Sequence, residues 1–508
     1  MGSAASLLNQ TAKSNRKVSL LSSNFYAQWR ACPATAVTLH DADREPPPER
    51  LLQAVWLHQR LHRERLHTAD ARPVRVLHPG FWNHEAGPDF RDAVVQFGSE
   101  PPRVGDVEID LEPASWRSHG HEHNPAYAKV LLHVVWDGAG HFPLPTLALK
   151  PVLDSPLAEL AQWLGGEAGR KLPSALAGQC TAPLQTLPQD TLDELLHQAA
   201  QVRLQSKAAQ LQARARHAGW EQALREGVFA ALGYKQNVWP MRRLAELLPV
   251  LGAELPRGPD SVFALQARLF GVSGLLPAEL TRTAAADDTH LRRLWDAWWR
   301  EREQFSEVIL PRAAWRFHGL RPANHPQRRL ALVAHWLADG GWLARVEKWF
   351  TAPVAEAALV SSLWEILQVE TDEFWSWHWT FRSARLTKPQ PLLGTTRVTD
   401  LAVNVLLPWF WIRAVAGKNE ALCAQAEARY HAWPAAEDNA VLKLARQRLL
   451  ANAGPRTLRT AAAQQGLLQI GRDFCAQSDA LCTSCRFPDL VRDIGNEREE
   501  PGTIRDAR

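Results

Sequence analysis

The sequence predicts a mixed α/β domain near the N-terminus, then a large all-α region, then a short cysteine-bearing segment. Three observations lead there. From Val74 to about Val152, apolar residues recur at every second position between Pro, Gly and Asn turn signals, which is the period of strands. After Cys180 the apolar period becomes that of helices. Three of the six cysteines crowd between Cys475 and Cys485. At 508 residues the chain has room for several domains, each able to bury its own core.

Taken in order, residues 1–48 are polar and end in Pro46-Pro47-Pro48, which reads as an irregular leader. Glu49 to Arg63 carries a helical pattern, with Leu51, Leu52, Val55 and Trp56 on one side. Strands are expected at Val74–Leu77, Phe90–Phe97, Val104–Leu111, Val130–Trp136 and Thr146–Lys150, so the α/β domain covers residues 49–180. Residues 185–455 form the helical domain. In it Asp190 caps a helix, and Leu291, Leu294, Trp295, Trp298 and Trp299 mark the core stripe of another. The Leu401–Ile412 run is too short to span a bilayer and holds Asn404 and Pro408, so it reads as a buried element. Residues 456–493 hold the cysteines, and the charged tail 494–508 frays.

Composition is globular, with 46% hydrophobic and 22% charged residues, which argues against a disordered chain. A net charge of +4 permits an acidic partner such as nucleic acid without demanding one. Six cysteines in such a length make no disulfide framework, and a cytoplasmic protein with no membrane segment is expected. The sequence sets no oligomeric state.

The stretch Gly105-Asp106-Val107-Glu108-Ile109-Asp110-Leu111-Glu112 alternates acid and branched aliphatic. On a strand its four carboxylates share one face, roughly 7 Å apart. Fully exposed neighbours repel by about 0.6 kcal/mol, but at an effective dielectric near 20 each adjacent pair costs about 2.4 kcal/mol. The face is therefore either solvated or backed by a cation, and Mg²⁺ or Mn²⁺ suits carboxylate oxygens. Asp89 opens the preceding strand after a Gly87-Pro88 turn. A hairpin about Gly98–Arg103 brings Asp89 and Asp92 back beside Asp110 and Glu112, within a register error of about two residues. Downstream, His119 and His121 could ligate a transition metal or serve as a base near neutral pH, and Lys129 is a nearby cation.

Pro88-Asp89 before one strand and Glu108-x-Asp110 on the next resemble the catalytic hairpin of the PD-(D/E)XK nuclease superfamily, which implies a restriction-endonuclease-like mixed sheet. The resemblance implies that Asp89 and Glu108 hold Mg²⁺ and that Asp110 occupies the place of the superfamily's lysine. That last match is a departure, since an Asp cannot stabilise an anionic transition state. The runs Val76–Gly80, Ala86–Phe90, Val107–Ile109, Asn124–Tyr127, Leu320–Arg329 and Gln465–Ile470 are similar to an uncharacterised bacterial domain-of-unknown-function family. That similarity extends from about Glu49 to Pro488 and brings no established activity.

Cys475-x6-Cys482-x2-Cys485 is the second signal, since clustered thiolates favour Zn²⁺ or an iron–sulfur cluster. The spacing resembles the loop of iron–sulfur DNA glycosylases, whose fourth cysteine is replaced here by Val491. Some helicase-associated nucleases resemble the wider plan, one remote cysteine joining a C-terminal triplet, and Cys180 or Cys423 would fill that role. Arg321, Arg328 and Arg329 are candidate phosphate contacts, because a guanidinium is a permanent bidentate donor, although a charge-rich loop between helices is more often a solvated or ion-paired structural element. The leading expectation is a metal-dependent nuclease acting on DNA or RNA. The rival is a non-catalytic nucleic-acid- or protein-binding module with a structural metal site.

Overall fold

The computed structural model describes residues 24–31, 47–83, 87–138, 144–164, 178–234, 236–252, 260–280, 289–317, 320–451, 458–475 and 485–499. The chain divides into two compact units, and neither is one continuous segment. One draws on Ala42–Gly165 and Lys207–Arg429, the other on Met1–Asp41, Gly166–Ser206 and Tyr430–Arg508. The linear domain order expected from composition is thus replaced by an interleaved one.

The first unit contains a mixed sheet of β1 (Val74–His78), β2 (Phe81–Trp82), β3 (Phe90–Phe97), β4 (Arg103–Asp110), β5 (Val130–Val135) and β6 (Thr146–Ala148). Its order is β1-β3-β4-β5-β6, with β2 paired to β3. Neighbours β1, β3 and β4 run antiparallel, while β5 and β6 continue in parallel. All five expected strands are present, each within two residues of its expected ends.

One face of the sheet is apolar. Val95, Phe97, Val107, Ile109, Leu132 and Val134 pack there against Leu52, Val55 and Trp56 of the Glu49–His58 helix, Leu157 and Leu160, and Ala213. Trp56 is fully buried and donates its indole N–H to Pro79 O at 2.9 Å. That helix stops before Arg63 because Gln59 adopts a left-handed conformation and Arg60 turns to pair with Asp154 at 3.0 Å.

The opposite face is also covered, so Asp106, Glu108 and Asp110 are buried rather than solvated. Glu112 lies past the strand end and is exposed. A bulge between Phe90 and Ala93 puts Asp92 at a φ of 56°. Asp92 therefore points away from the other acids and pairs with Arg316 at 2.7 Å.

Helices make up the rest of this unit. In Thr289–Glu301, Leu291, Leu294 and Trp298 are buried as the stripe predicts, but Trp299 is 42% exposed and stacks on Trp295 at 4.4 Å. The run Leu401–Ile412 lies inside a 22-residue helix, Thr395–Ala416, that passes through a π turn at Ala402–Leu406. It is long and apolar enough to cross a bilayer, yet 78% of that apolar window is buried inside the fold.

The second unit gathers Leu195, Leu196, Leu449, Ile470, Phe474 and Phe487 into one core. The expected leader contributes a helix, Phe25–Ala31, whose Tyr26 is fully buried and donates its hydroxyl to Asp473 Oδ2 at 2.7 Å. The expected frayed tail begins later than residue 494, since the Phe487–Glu499 helix continues past it.

Gly105 leaves no room for a side chain between β4 and β5, because a Cβ there would fall 2.7 Å from Lys129 O and into the Leu131 side chain. Gly105→Ala is expected to destabilise the protein by about 1–3 kcal/mol through overpacking. A lowered denaturation midpoint at unchanged m-value would register it, and an unchanged midpoint would contradict the tight packing.

Candidate metal centre

The site forms where β3 begins and β4 ends. Phe90 pairs with Val107, so Asp89 sits beside Glu108 rather than beside Asp110 or Glu112 as the expected hairpin had it. Asp89 N donates to Glu108 Oε2 at 3.0 Å, and Ile109 N donates to Asp89 Oδ2 at 3.0 Å. Gln53, from the Glu49–His58 helix, donates to Asp89 Oδ1 at 2.8 Å and to Glu49 Oε1 at 3.1 Å. Both Asp89 oxygens are thus engaged in holding the hairpin to itself and to the helix.

Asp110 is engaged on one side only. Its Oδ2 lies 2.9 Å from Nε2 of the buried His133, which β5 delivers in register beside Glu108. Its Oδ1 lies 3.3 Å from His119 Nδ1. The segment after β4 coils through Ser115–Ser118 and a single turn at His121–His123, which swings both histidines back over the strand end. His121 is buried between aromatic rings, stacked on Tyr127 at 4.0 Å with Trp116 edge-on at 5.3 Å. Its Nε2 lies 3.3 Å from Glu108 Oε1 yet has no hydrogen-bond partner.

One ligand atom from each of Asp110, His119 and His121 falls within 4.8 Å of the others. Two donors on one tetrahedral ion, with bonds of roughly 2.0–2.1 Å, stand roughly 3.3 Å apart. The His119–Asp110 separation matches that spacing. Asp110, His119 and His121 could hold a divalent cation, and two imidazoles favour Zn²⁺ over the Mg²⁺ suggested by carboxylates alone. His133 on the far oxygen of Asp110 is the kind of outer partner that fixes a ligand's orientation.

Electrostatics agree with the geometry. Burial, and then the Glu49 charge, pushes the Asp89 carboxyl well above the usual carboxylate range. Glu108 is raised further, by burial first and Asp89 second. Glu49, at the pocket mouth, is raised by burial and by Asp110. Burial lowers His121, which keeps its lone pair available to a metal. The Tyr127 hydroxyl, pushed up to about 12 by burial and by Glu108, stays a neutral donor. Without a cation, such a pocket is relieved only by taking up protons.

The remaining expected residues fall elsewhere. Lys129 is exposed at the entry of β5, where its carbonyl accepts from Asp106 N, and it makes no ion pair with the cluster among the described residues. Arg328 and Arg329 are buried, which favours the structural alternative to their reading as phosphate contacts. Arg328 is fully buried and donates to the carbonyls of Trp375, His378, Gln390 and Pro391. Arg329 donates to Leu392 O and to Asn324. They tie a long loop together, a task their donor-rich forks suit. Arg321 is exposed.

Cys180 lies in the core of the second unit, and Cys475 and Cys485 pack against that same core. Cys482 lies outside the described residues. Cys423 belongs to the other unit. Glu49, Gln53, His133 and Tyr127 were not singled out as site residues by the sequence. Gln53 alone left a signal, as a polar residue between the buried Leu52 and Val55 of an otherwise apolar helix face.

The chain matches the family described as "Protein of unknown function (DUF2851)" over residues 49–440, and it belongs to that family. No curated protein and no solved structure matches it.

The raised carboxyls fix the sign of a pH effect. Glu108 loses its proton at ordinary acidity in the unfolded chain but keeps it to higher pH when folded. Its stabilising share is therefore full below about pH 4 and is lost as pH rises toward the folded value. With a chelator present, thermal stability should fall between pH 5 and pH 8, and Glu108→Gln should flatten that slope and raise the pH 8 melting temperature by on the order of 2 °C. Equal slopes for the two proteins would contradict the buried, crowded site.

Proposed function

We propose that this chain is a metal-dependent hydrolase of phosphodiester bonds in nucleic acid. The observation that carries the reading is the buried, unpartnered His121 nitrogen abutting Glu108 beside Asp110, an arrangement that calls for a cation. Asp110, His119 and His121 hold the ion, with Glu108 as a further donor or as the base. The ion, when bound, supplies charge neutralisation at the scissile phosphate and a more acidic water.

The chain's own residues do the rest. His133 orients Asp110, and Asp89 locks the hairpin and raises the Glu108 carboxyl, which would serve as a base only where a bound cation offsets that rise. The Trp116 and Tyr127 rings exclude bulk water from one side. Exposed Arg50, Arg91 and Arg117 lie on the elements that rim the pocket, which suits a polyanionic substrate. This reading draws on the sequence resemblance of the hairpin to PD-(D/E)XK nucleases, with the metal set at Asp110 and the two histidines in place of Asp89. Hydrolysis adds water across one P–O bond, leaving a phosphomonoester and a hydroxyl.

Chelated protein reloaded with Mn²⁺, Zn²⁺ or Mg²⁺ is expected to cut labelled DNA or RNA, with Zn²⁺ superior to Mg²⁺. Asp110→Asn, His121→Ala and Glu108→Gln should each lower the rate by about 100-fold or more. Cutting that survives all three changes would sink the assignment. Tight oligonucleotide binding with no cutting under any metal would instead favour a binding module, in which the same residues only staple the hairpin.

A further inference from the structure

A second charged cluster lies beside the edge strand β1. The Val238–Glu246 helix packs against β1 there and brings in Trp239, Arg242 and Arg243, while the turn Arg63–Arg65 brings in Arg63.

Arg242 and Arg63 both lie over the Trp239 ring, at 4.5 and 5.7 Å. Glu246 is shared between Arg63 and Arg243. Glu226 spends both oxygens on Arg214, at 2.9 to 3.1 Å. Four guanidiniums thus face two carboxylates, with Glu64 exposed at the edge and Arg60 committed to Asp154. Among the described residues Arg242 has no ion pair or hydrogen bond, and Arg243 Nε is buried without a partner. The groups are recessed but reachable, since Arg63 and Arg243 each keep 21% of their side-chain surface.

We infer that Arg242, with Arg63 and Arg243 beside it, forms a phosphate-binding pocket that anchors a nucleic-acid backbone beside the edge strand β1. A phosphate would neutralise the excess charge and accept the forked hydrogen bonds that Arg242 leaves unmade. The crowding shows in the guanidiniums themselves. Burial and like charges lower Arg63 to about 9, and Arg242 and Arg243 to about 10, a departure that a bound anion would relieve. The choice of nucleic acid as the phosphate's source rests on the proposed hydrolase activity, whereas the pocket's affinity for phosphate does not.

The test is metal-free binding by the full chain in a chelator, where no cutting can occur. A fluorescent single-stranded oligonucleotide is titrated by anisotropy against salt, and inorganic phosphate is added in a separate thermal-shift series. Arg242→Gln should weaken oligonucleotide binding about tenfold and reduce the salt slope by about one. Glu246→Gln frees Arg63 and Arg243 and should tighten binding about threefold, a gain that a misfolded variant could not give. Asp110→Asn should leave this binding unchanged, which separates the anchor from the hydrolytic reading. Equal oligonucleotide affinity for the wild type and Arg242→Gln would overturn the inference. So would protection by inorganic phosphate that depends on Arg242 while the oligonucleotide does not bind, because the pocket would then serve a free phosphate.

Discussion

β4 is sheltered on both faces while carrying an acid at every second position of its second half, and much of the first unit follows from accommodating that. Val107 and Ile109 anchor it in the apolar core, so Asp106, Glu108 and Asp110 have nowhere to go but the opposite, covered side. At about 2.4 kcal/mol per adjacent pair, the repulsion rivals the worth of several ordinary hydrogen bonds. The fold meets it residue by residue. Asp106 accepts from Asp92 N, Glu108 from Asp89 N, and Asp110 lies against His133 and His119.

Asp89 ties this together because it works in both directions across the hairpin. Its backbone N–H serves Glu108, and its carboxylate takes the Ile109 N–H and the Gln53 amide. One side chain thus sets the strand register, docks the Glu49–His58 helix and raises the basicity of its neighbour.

Local sequence patterns succeeded where one strand or helix decided the outcome and failed where a distant partner did. The β strands were legible because period-two alternation is a property of each strand alone. The arginines were not legible for the opposite reason. Arg328 and Arg329 look like a surface basic pair, but the carbonyls that claim them come from residues 375–392, which no local pattern reveals. Asp92 was drawn into the acid cluster because alternation ignores a bulge, and the bulge turns it toward Arg316. The cysteine spacing was plain, and the fold adds that Cys180, far away in sequence, shares a core with Cys475 and Cys485.

By itself the sequence determined the mixed sheet, the helical body and the acidic strand, since each is written in periodicity and in residues that force turns. Only the tertiary structure decided that the acidic face is buried, that His121 and His133 close on it from two other segments, and that Arg242 stands beside Trp239 without a carboxylate of its own. The physical reason is that charge is cheap or costly according to what covers it, and coverage comes from segments that meet only once the chain has folded.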